Sequence, residues 1–352
     1  MFHSKTVFVV GAGASHEVNL PTGKALAGHI ETKLNFEHSP HKTLQSGDPV
    51  IYETLYWYSA KQADKDREMK LYMRAAKQVR DAMPQVSSID SFIDTHAGNR
   101  HIELCGKLAI VQTILDEEKK SKLFYNQRDG SWYAASKDIQ NTWHQYFFEI
   151  LADDCRLSNL HAIFDNISFI VFNYDRCIEH FLIHALQTRF TIDALKAEQI
   201  IGTLKIIHPY GVVGCLPWQG MGVKVPFGGR ARQGENLLSL SRQIKTFTEY
   251  EQDVSIVSEI RRLVQGADTI VFLGFAFHPQ NMELLKVTEK SIDKTIYSTT
   301  SGISKNDARV VRKKIAESFA PPGTRIYINK EYDLKCFELF REFRRTLQYG
   351  SR

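Results

Sequence analysis

The sequence predicts an α/β protein built on a Rossmann-like, doubly wound parallel sheet that carries a large, mainly helical insertion. Short, continuously apolar runs rich in β-branched residues recur along the chain, and helix-like stretches separate them. The loops with unusual chemistry also fall directly after the predicted strands. A run that is apolar on both faces suits the interior of a parallel sheet, because helices cover such a sheet on both sides.

The first strand is Thr6–Val10, and later strands are expected at Phe169–Phe172, Leu204–Ile207, Thr269–Leu273, Thr295–Ser298 and Arg325–Ile328. Helices are expected at Arg176–Gln187, at Glu235–Thr246 with Val254–Val264, and at Ser304–Ser318. Ser304, with Asp307 three residues on, starts the last of these as a capping box. Leu334, Phe337, Phe340 and Phe343 fall near helical spacing and predict a final amphipathic helix over Leu334–Leu347. From about Pro21 to Asp154 the pattern is mostly helical and includes Ile89–Thr95, Ile102–Lys120 and Ile139–Leu151. Residues 1–35 and 165–352 are therefore read as the nucleotide-binding sheet domain, and 36–164 as a module inserted into it. Residues 121–135, with Asp129-Gly130, read as a loop or small hairpin. Gly211–Gly234 holds seven glycines in twenty-four residues and reads as surface loops or short hairpins.

The chain has 352 residues, which predicts one large or two fused domains, and 43% hydrophobic with 24% charged residues marks a folded chain with a core. No run approaches the roughly 18 apolar residues of a membrane span, and the N-terminus enters a strand without a signal-peptide pattern. A net charge of +5 suits a small anionic ligand and is too dispersed to imply nucleic acid. Five scattered cysteines form no CxxC pair, so neither a metal site nor a disulfide framework is expected, and a reducing cytoplasm is the simplest compartment.

Five strand-end loops carry the candidate chemistry, since ligands of open α/β sheets bind at the carboxyl ends of strands. Gly11-Ala12-Gly13-Ala14-Ser15 follows the first strand, where glycines allow a tight turn and free N–H groups meet a pyrophosphate. The dehydrogenase fingerprint is incomplete here, because His16 stands at its next glycine position. Asn173, within Phe172-Asn173-Tyr174-Asp175, offers a donor and an acceptor and no titratable proton, so it positions a water or a ribose hydroxyl. Asp175 reads first as the N-cap of the helix that follows, a role compatible with a ligand contact. His208 precedes Pro209, which holds it extended at a strand terminus, where a neutral imidazole is a natural proton acceptor. Gly274-Phe275-Ala276-Phe277 allows close backbone approach, and Ser298-Thr299-Thr300 offers hydroxyls to an adenosine ribose, a phosphate or the next helix start.

Taken together, Gly11–Ser15, Phe172–Asp175, Ile207-His208 with Gly211, and Gly274–Phe277 resemble the sirtuin-like superfamily, in its bacterial anti-phage defence branch of NAD-consuming proteins. The resemblance implies that Asn173 orders the attacking water and nicotinamide ribose, and that His208 engages the ribose hydroxyls as a general base. It implies a pyrophosphate cradle at Gly11, Ala12, Gly13, Ala14 and Ser15, with Asp175 nearby. The adenosine side would fall at Gly274, Phe275, Ser298, Thr299 and Thr300. Glu179 lies four residues after Asp175, where related chains also tend to place an acid. The chain departs from the deacylating relatives in lacking their four zinc cysteines and in placing Pro209 and Tyr210 before Gly211. It departs from the defence branch at Ala276, where Asn281 is a possible substitute for the missing polar group.

The implied activity is hydrolysis of NAD, as substrate, to ADP-ribose and nicotinamide in abortive-infection defence. A non-catalytic nucleotide sensor is the second reading and an NAD-dependent deacylase the third. Such an NADase is expected to be held in check by assembly, as a homo-oligomer or with a helicase-type ATPase. Ile89–Asp94 is a candidate lid, although core packing of Ile89, Phe92 and Ile93 is the preferred reading.

Overall fold

The computed structural model describes the chain except residues 40–42, 126–131, 133–136, 221, 248, 250–252, 330–332 and 351–352. The element order is β1 (Thr6–Val10), α1 (Ala12–His16), α2 (Gly23–Lys33), β2 (Glu37–His38), β3 (Leu44–Ser46), α3 (Pro49–Ser59), α4 (Lys65–Ala82), α5 (Ile89–Thr95), α6 (Arg100–Glu118) and α7 (Trp143–Ala152). It continues through β4 (Ile167–Val171), α8 (Cys177–Phe190), α9 (Ala194–Ile201), β5 (Lys205–Ile207), α10 (Glu235–Ser241), α11 (Val254–Gly266), β6 (Thr269–Leu273) and α12 (Pro279–Leu285). The chain ends with β7 (Lys294–Ser298), α13 (Lys305–Phe319), β8 (Ile326–Ile328), α14 (Cys336–Glu342) and α15 (Arg344–Tyr349).

Six parallel strands form one sheet in the order β5-β4-β1-β6-β7-β8. The chain works outward from β1 to β5 on one side, then returns to the other side of β1 with β6. The order reverses between β1 and β6, and that reversal is where open α/β sheets hold ligands. β1, β4 and β6 are buried along their whole length, which accounts for their unbroken apolar sequences.

Alternating side chains feed two cores. Val7, Val9, Ile170, Ile270 and Phe272 pack with α2–α6 and α10–α13 on one face, where Tyr72, Val79, Leu108 and Leu237 are buried. Phe8, Val10, Phe169, Val171 and Leu273 pack with α7, α8, α9, α14 and α15 on the other, around Trp143, Phe181 and Phe340. Helices thus cover both faces of the sheet, as the α/β reading requires.

Three expectations need correction. The stretch Gly211–Gly234 is not a surface loop throughout, because Val213, Leu216, Val225 and Phe227 are buried in the two cores. The C-terminal amphipathic stretch forms two short helices that meet at Phe343. The helix expected over Glu235–Thr246 ends at Ser241, and Ile244 instead bridges to Gly211. The Asp129-Gly130 turn lies outside the described residues. Ser304 caps α13 as expected, accepting from the Asp307 N–H at 3.1 Å. Among the described residues no helix is long and apolar enough to cross a membrane.

Candidate functional site

The carboxyl ends of β1, β4 and β5 bring together three residues that lie far apart in the sequence. Asn173 leaves β4 buried, and its Nδ2 donates to Ser15 Oγ at 2.9 Å. The backbone oxygen of Asn173 accepts at 3.2 Å from Nδ1 of His208, which follows β5. Parallel pairing of β4 with both β1 and β5 sets this juxtaposition, because the three strands end on the same edge.

His208 Nε2 lies 2.9 Å from Glu179 Oε1, on the first turn of α8. A carbonyl oxygen only accepts, so Nδ1 carries a hydrogen, and an ionised carboxylate asks the same of Nε2. Burial alone would push the His208 pKa down, but the Glu179 carboxylate outweighs it, helped by the Asn173 carbonyl and by Asp175, and holds it above the ordinary 6.5. Each ring nitrogen thus has a partner, and the charged form of the ring is favoured beside Glu179.

Asp175 is buried, and its Oδ1 accepts from the Cys177 N–H at 3.2 Å, fastening the start of α8. Arg176 beside it is fully buried against Glu118 at the end of α6, with both side chains 0% exposed. Arg176 also donates to the carbonyls of Gly214, Val225 and Pro226, while Glu118 accepts from the Gly228 N–H at 3.0 Å. This pair ties the glycine-rich stretch to the loop that presents Asn173.

The loops after β1 and β6 pack directly on one another. Gly13 N donates to Gly274 O at 3.0 Å, and a Cβ on Gly13 would meet the Gly274 Cα at 2.8 Å. Gly274 has φ +56°, and a Cβ there would meet the Ala14 nitrogen at 2.0 Å. The N–H groups of Gly11, Gly13 and Ala14 bond to Leu273, Gly274 and Gly11 carbonyls. Those three donors, expected free for a pyrophosphate, are thus committed within the protein here, and the glycines serve loop-to-loop approach. Phe275 is buried against Phe172 and Phe272.

Ser298, Thr299 and Thr300 are also buried, and they do not open α13. Thr299 Oγ1 accepts from the Gly274 N–H at 2.8 Å, Thr300 Oγ1 from the Asp333 N–H at 3.1 Å, and Ser298 N donates to Asn329 Oδ1 at 2.9 Å. This hydroxyl cluster laces the ends of β6, β7 and β8 together.

Helix α5 closes over the edge. Ile89, Phe92 and Ile93 face the core, as preferred above, and Asp90 accepts a hydrogen bond from the Tyr174 hydroxyl beside Asn173. Asp94 accepts from Gln280 Nε2 at 3.1 Å, and Tyr210 donates to Asn281, so α5, the loop after β5 and α12 meet here. Five cavities of 320–610 Å³ lie elsewhere, and none is lined by Ser15, Asn173 or His208. Among the described residues no group of three or more His, Cys, Asp or Glu side chains is placed to hold a metal ion.

The residues that single-loop reasoning left out are Arg176, Glu118, Asp90 and Tyr174. Tyr174 and Arg176 lie inside the Asn173 loop itself and Asp90 inside the candidate lid Ile89–Asp94, whereas Glu118 arrives from a distant helix and carries no local sequence signal. No protein-family model matches this chain, and no curated protein matches it.

Proposed function

We propose that the protein is an NAD glycohydrolase that releases nicotinamide and ADP-ribose. The observation that carries this reading is the convergence of Ser15, Asn173 and His208 at the ends of three adjacent parallel strands, beside the reversal of strand order. The bond to be broken joins C1 of a ribose to a positively charged nicotinamide. Its electron pair leaves with a neutral ring, so no acid is needed for departure. What the protein must supply is a fixed ribose, a placed water and stabilisation of an oxocarbenium-like centre.

Asn173, held by Ser15, is suited to orient that water through its amide oxygen. His208 and Glu179 lie across from it as the polar pair nearest the ribose. Water adds to C1 and sheds one proton, giving ADP-ribose, nicotinamide and H⁺. Gly11–Ser15 would lie against the pyrophosphate, with Ala12 and Ser15 as its remaining donors, and Gly274, Phe275 and Ser298–Thr300 would frame the adenosine side. Because Asn173 and Ser15 are buried, entry of a dinucleotide requires α5 or the Gly274 loop to move. The helical residues 36–164, read as an inserted module, are where a homo-oligomer or a helicase-type ATPase would impose that motion, in keeping with a role in cytoplasmic anti-phage defence.

Chromatography of NAD incubated with the purified protein tests the reading. Nicotinamide and ADP-ribose should appear with wild type and fall by about 10²-fold with His208→Ala, which leaves Glu179 without the partner that positions it. Wild-type protein that never releases nicotinamide, alone or with its assembly partners, would sink it. A nucleotide sensor is the reading that the committed N–H groups and closed site favour second, and it predicts ADP-ribose binding without turnover.

A further inference from the structure

We propose that Glu179 is the residue that receives the hydroxyls of the nicotinamide-bearing ribose, with His208 as its positioning partner. The proposal rests on the NADase reading above and assigns the acceptor within that site.

Glu179 is 4% exposed, and its two carboxylate oxygens are unequal. Oε1 takes the His208 Nε2 hydrogen at 2.9 Å, while Oε2 is buried and has no hydrogen-bond partner. A buried carboxylate oxygen without a donor is costly, and a hydroxyl supplied by a ligand removes that cost. The His208 ring and one oxygen of Asp175 are already occupied. His208 Nδ1 is tied to the Asn173 carbonyl and Nε2 carries the proton shared with Glu179, so the ring has nothing left with which to accept. Asp175 Oδ1 holds the start of α8. Within the Glu179–His208 pair, Oε2 is the acceptor left without a donor.

The position also suits the chemistry. Glu179 sits on the first turn of α8, whose N-terminal dipole favours a carboxylate. Through Oε1, His208 links it to the backbone of Asn173, the residue whose amide would place the water. As the C1–nitrogen bond lengthens, electron density drawn from a hydroxyl bonded to a carboxylate opposes the charge growing on the ring. Such a hydrogen bond strengthens in the transition state, where it accelerates the reaction.

The test compares ADP-ribose, which carries this ribose, with ADP, which lacks it, by titration calorimetry on wild type and Glu179→Gln, alongside nicotinamide release from NAD. Wild type should bind ADP-ribose about 10–100-fold tighter than ADP, and Glu179→Gln should lose most of that margin while ADP affinity stays unchanged. Its kcat should fall about 10²–10³-fold. If the variant releases nicotinamide at the wild-type rate and keeps the ADP-ribose margin, Glu179 is not the acceptor, although the NADase reading survives. If the margin depends on Glu179 but wild type never cleaves NAD, the contact stands and the hydrolase reading fails. Should Glu179→Gln melt below the assay temperature, wild-type protein with ADP-ribose lacking the 2- and 3-hydroxyls of that ribose decides. Equal affinity for the deoxygenated ligand overturns the proposal, and a loss of about 10-fold or more supports it.

Discussion

Asn173 and Ser15, 158 positions apart, share a buried hydrogen bond of 2.9 Å that joins the loops after β4 and β1. Ser15→Ala removes the acceptor and leaves the Asn173 amide nitrogen buried without a partner. That should cost about 1–3 kcal/mol of stability. The unanchored amide should also lower nicotinamide release through kcat, with a smaller rise in KM from the lost hydroxyl beside the pyrophosphate. Urea denaturation and steady-state kinetics on the same preparation check both parts, and unchanged kcat would show that the bond serves folding alone.

Gly274→Ala should be more damaging than its size suggests. The position has φ +56°, and the added Cβ would press on the Ala14 nitrogen at 2.0 Å, which is backbone and cannot swing aside. Thr299→Val is the milder companion, because it removes the hydroxyl that accepts the Gly274 N–H and keeps the side-chain shape. The expected loss for Thr299→Val is about 1–3 kcal/mol, and Gly274→Ala should exceed it. Thermal melting of the two variants gives the ranking, and the reverse order would mean that the β1 and β6 loops separate readily.

The strands that build the edge were legible because burial on both faces leaves an unbroken apolar run. Thr6–Val10 and Thr269–Leu273 appear with the bounds expected. The β2–β3 hairpin left no such trace, since its strands are two and three residues long and largely exposed. Helices α9 and α12 were not expected at all; they have eight and seven residues. Within the site, the spacing from Asp175 to Glu179 was visible, but the partner of Glu179 lies 29 residues away and reaches it only because β5 pairs with β4. Strand-end glycines announced a close approach without saying to what. Here Gly13 and Gly274 approach each other, a relation set by the pairing of β1 with β6.

The His208–Glu179 pair makes stability depend on pH in a defined direction. Burial opposes the charged ring, but Glu179 prevails and raises the folded pKa above 6.5. The unfolded chain releases that proton near its ordinary value. Stability from the pair is therefore complete below 6.5 and is lost as pH rises through the folded value. The melting-temperature gap between wild type and Glu179→Gln should be widest just below 6.5 and narrow toward alkaline pH. A gap that widens with pH would mean that His208 is neutral in the fold.

Arg176 and Glu118 are both fully buried, so removing one partner strands the other as an unpaired charge. Arg176→Met should cost about 3–5 kcal/mol. The double variant Arg176→Met with Glu118→Met should recover part of this. Full recovery is not expected, because the Val225 and Pro226 carbonyls and the Gly228 N–H lose their partners as well. Chemical denaturation of the single and double variants measures the difference. A double variant no better than Arg176→Met would show that the backbone anchoring outweighs the stranded charge.

Asp90 decides how firmly α5 closes over the edge. Burial raises its pKa above the ordinary 3.8, although the Tyr174 hydroxyl and the nearby backbone pull the other way. An acid whose folded pKa is raised keeps its proton in the native state where the unfolded chain has already lost it. Stability therefore falls as pH rises through that window, and the penalty for a buried charge is complete above it. Asp90→Asn keeps an acceptor for Tyr174 and carries no charge. The variant should be more stable than wild type at neutral pH, with the advantage shrinking as pH falls toward 3.8. Slower amide exchange over Ile89–Thr95 should accompany it. Since Asn173 and Ser15 lie buried beneath this edge, a helix that opens less often should admit NAD more slowly and reduce nicotinamide release. If wild type is the more stable protein at neutral pH, the ionised carboxylate gains more from Tyr174 than it loses by burial, and α5 is held by its charge.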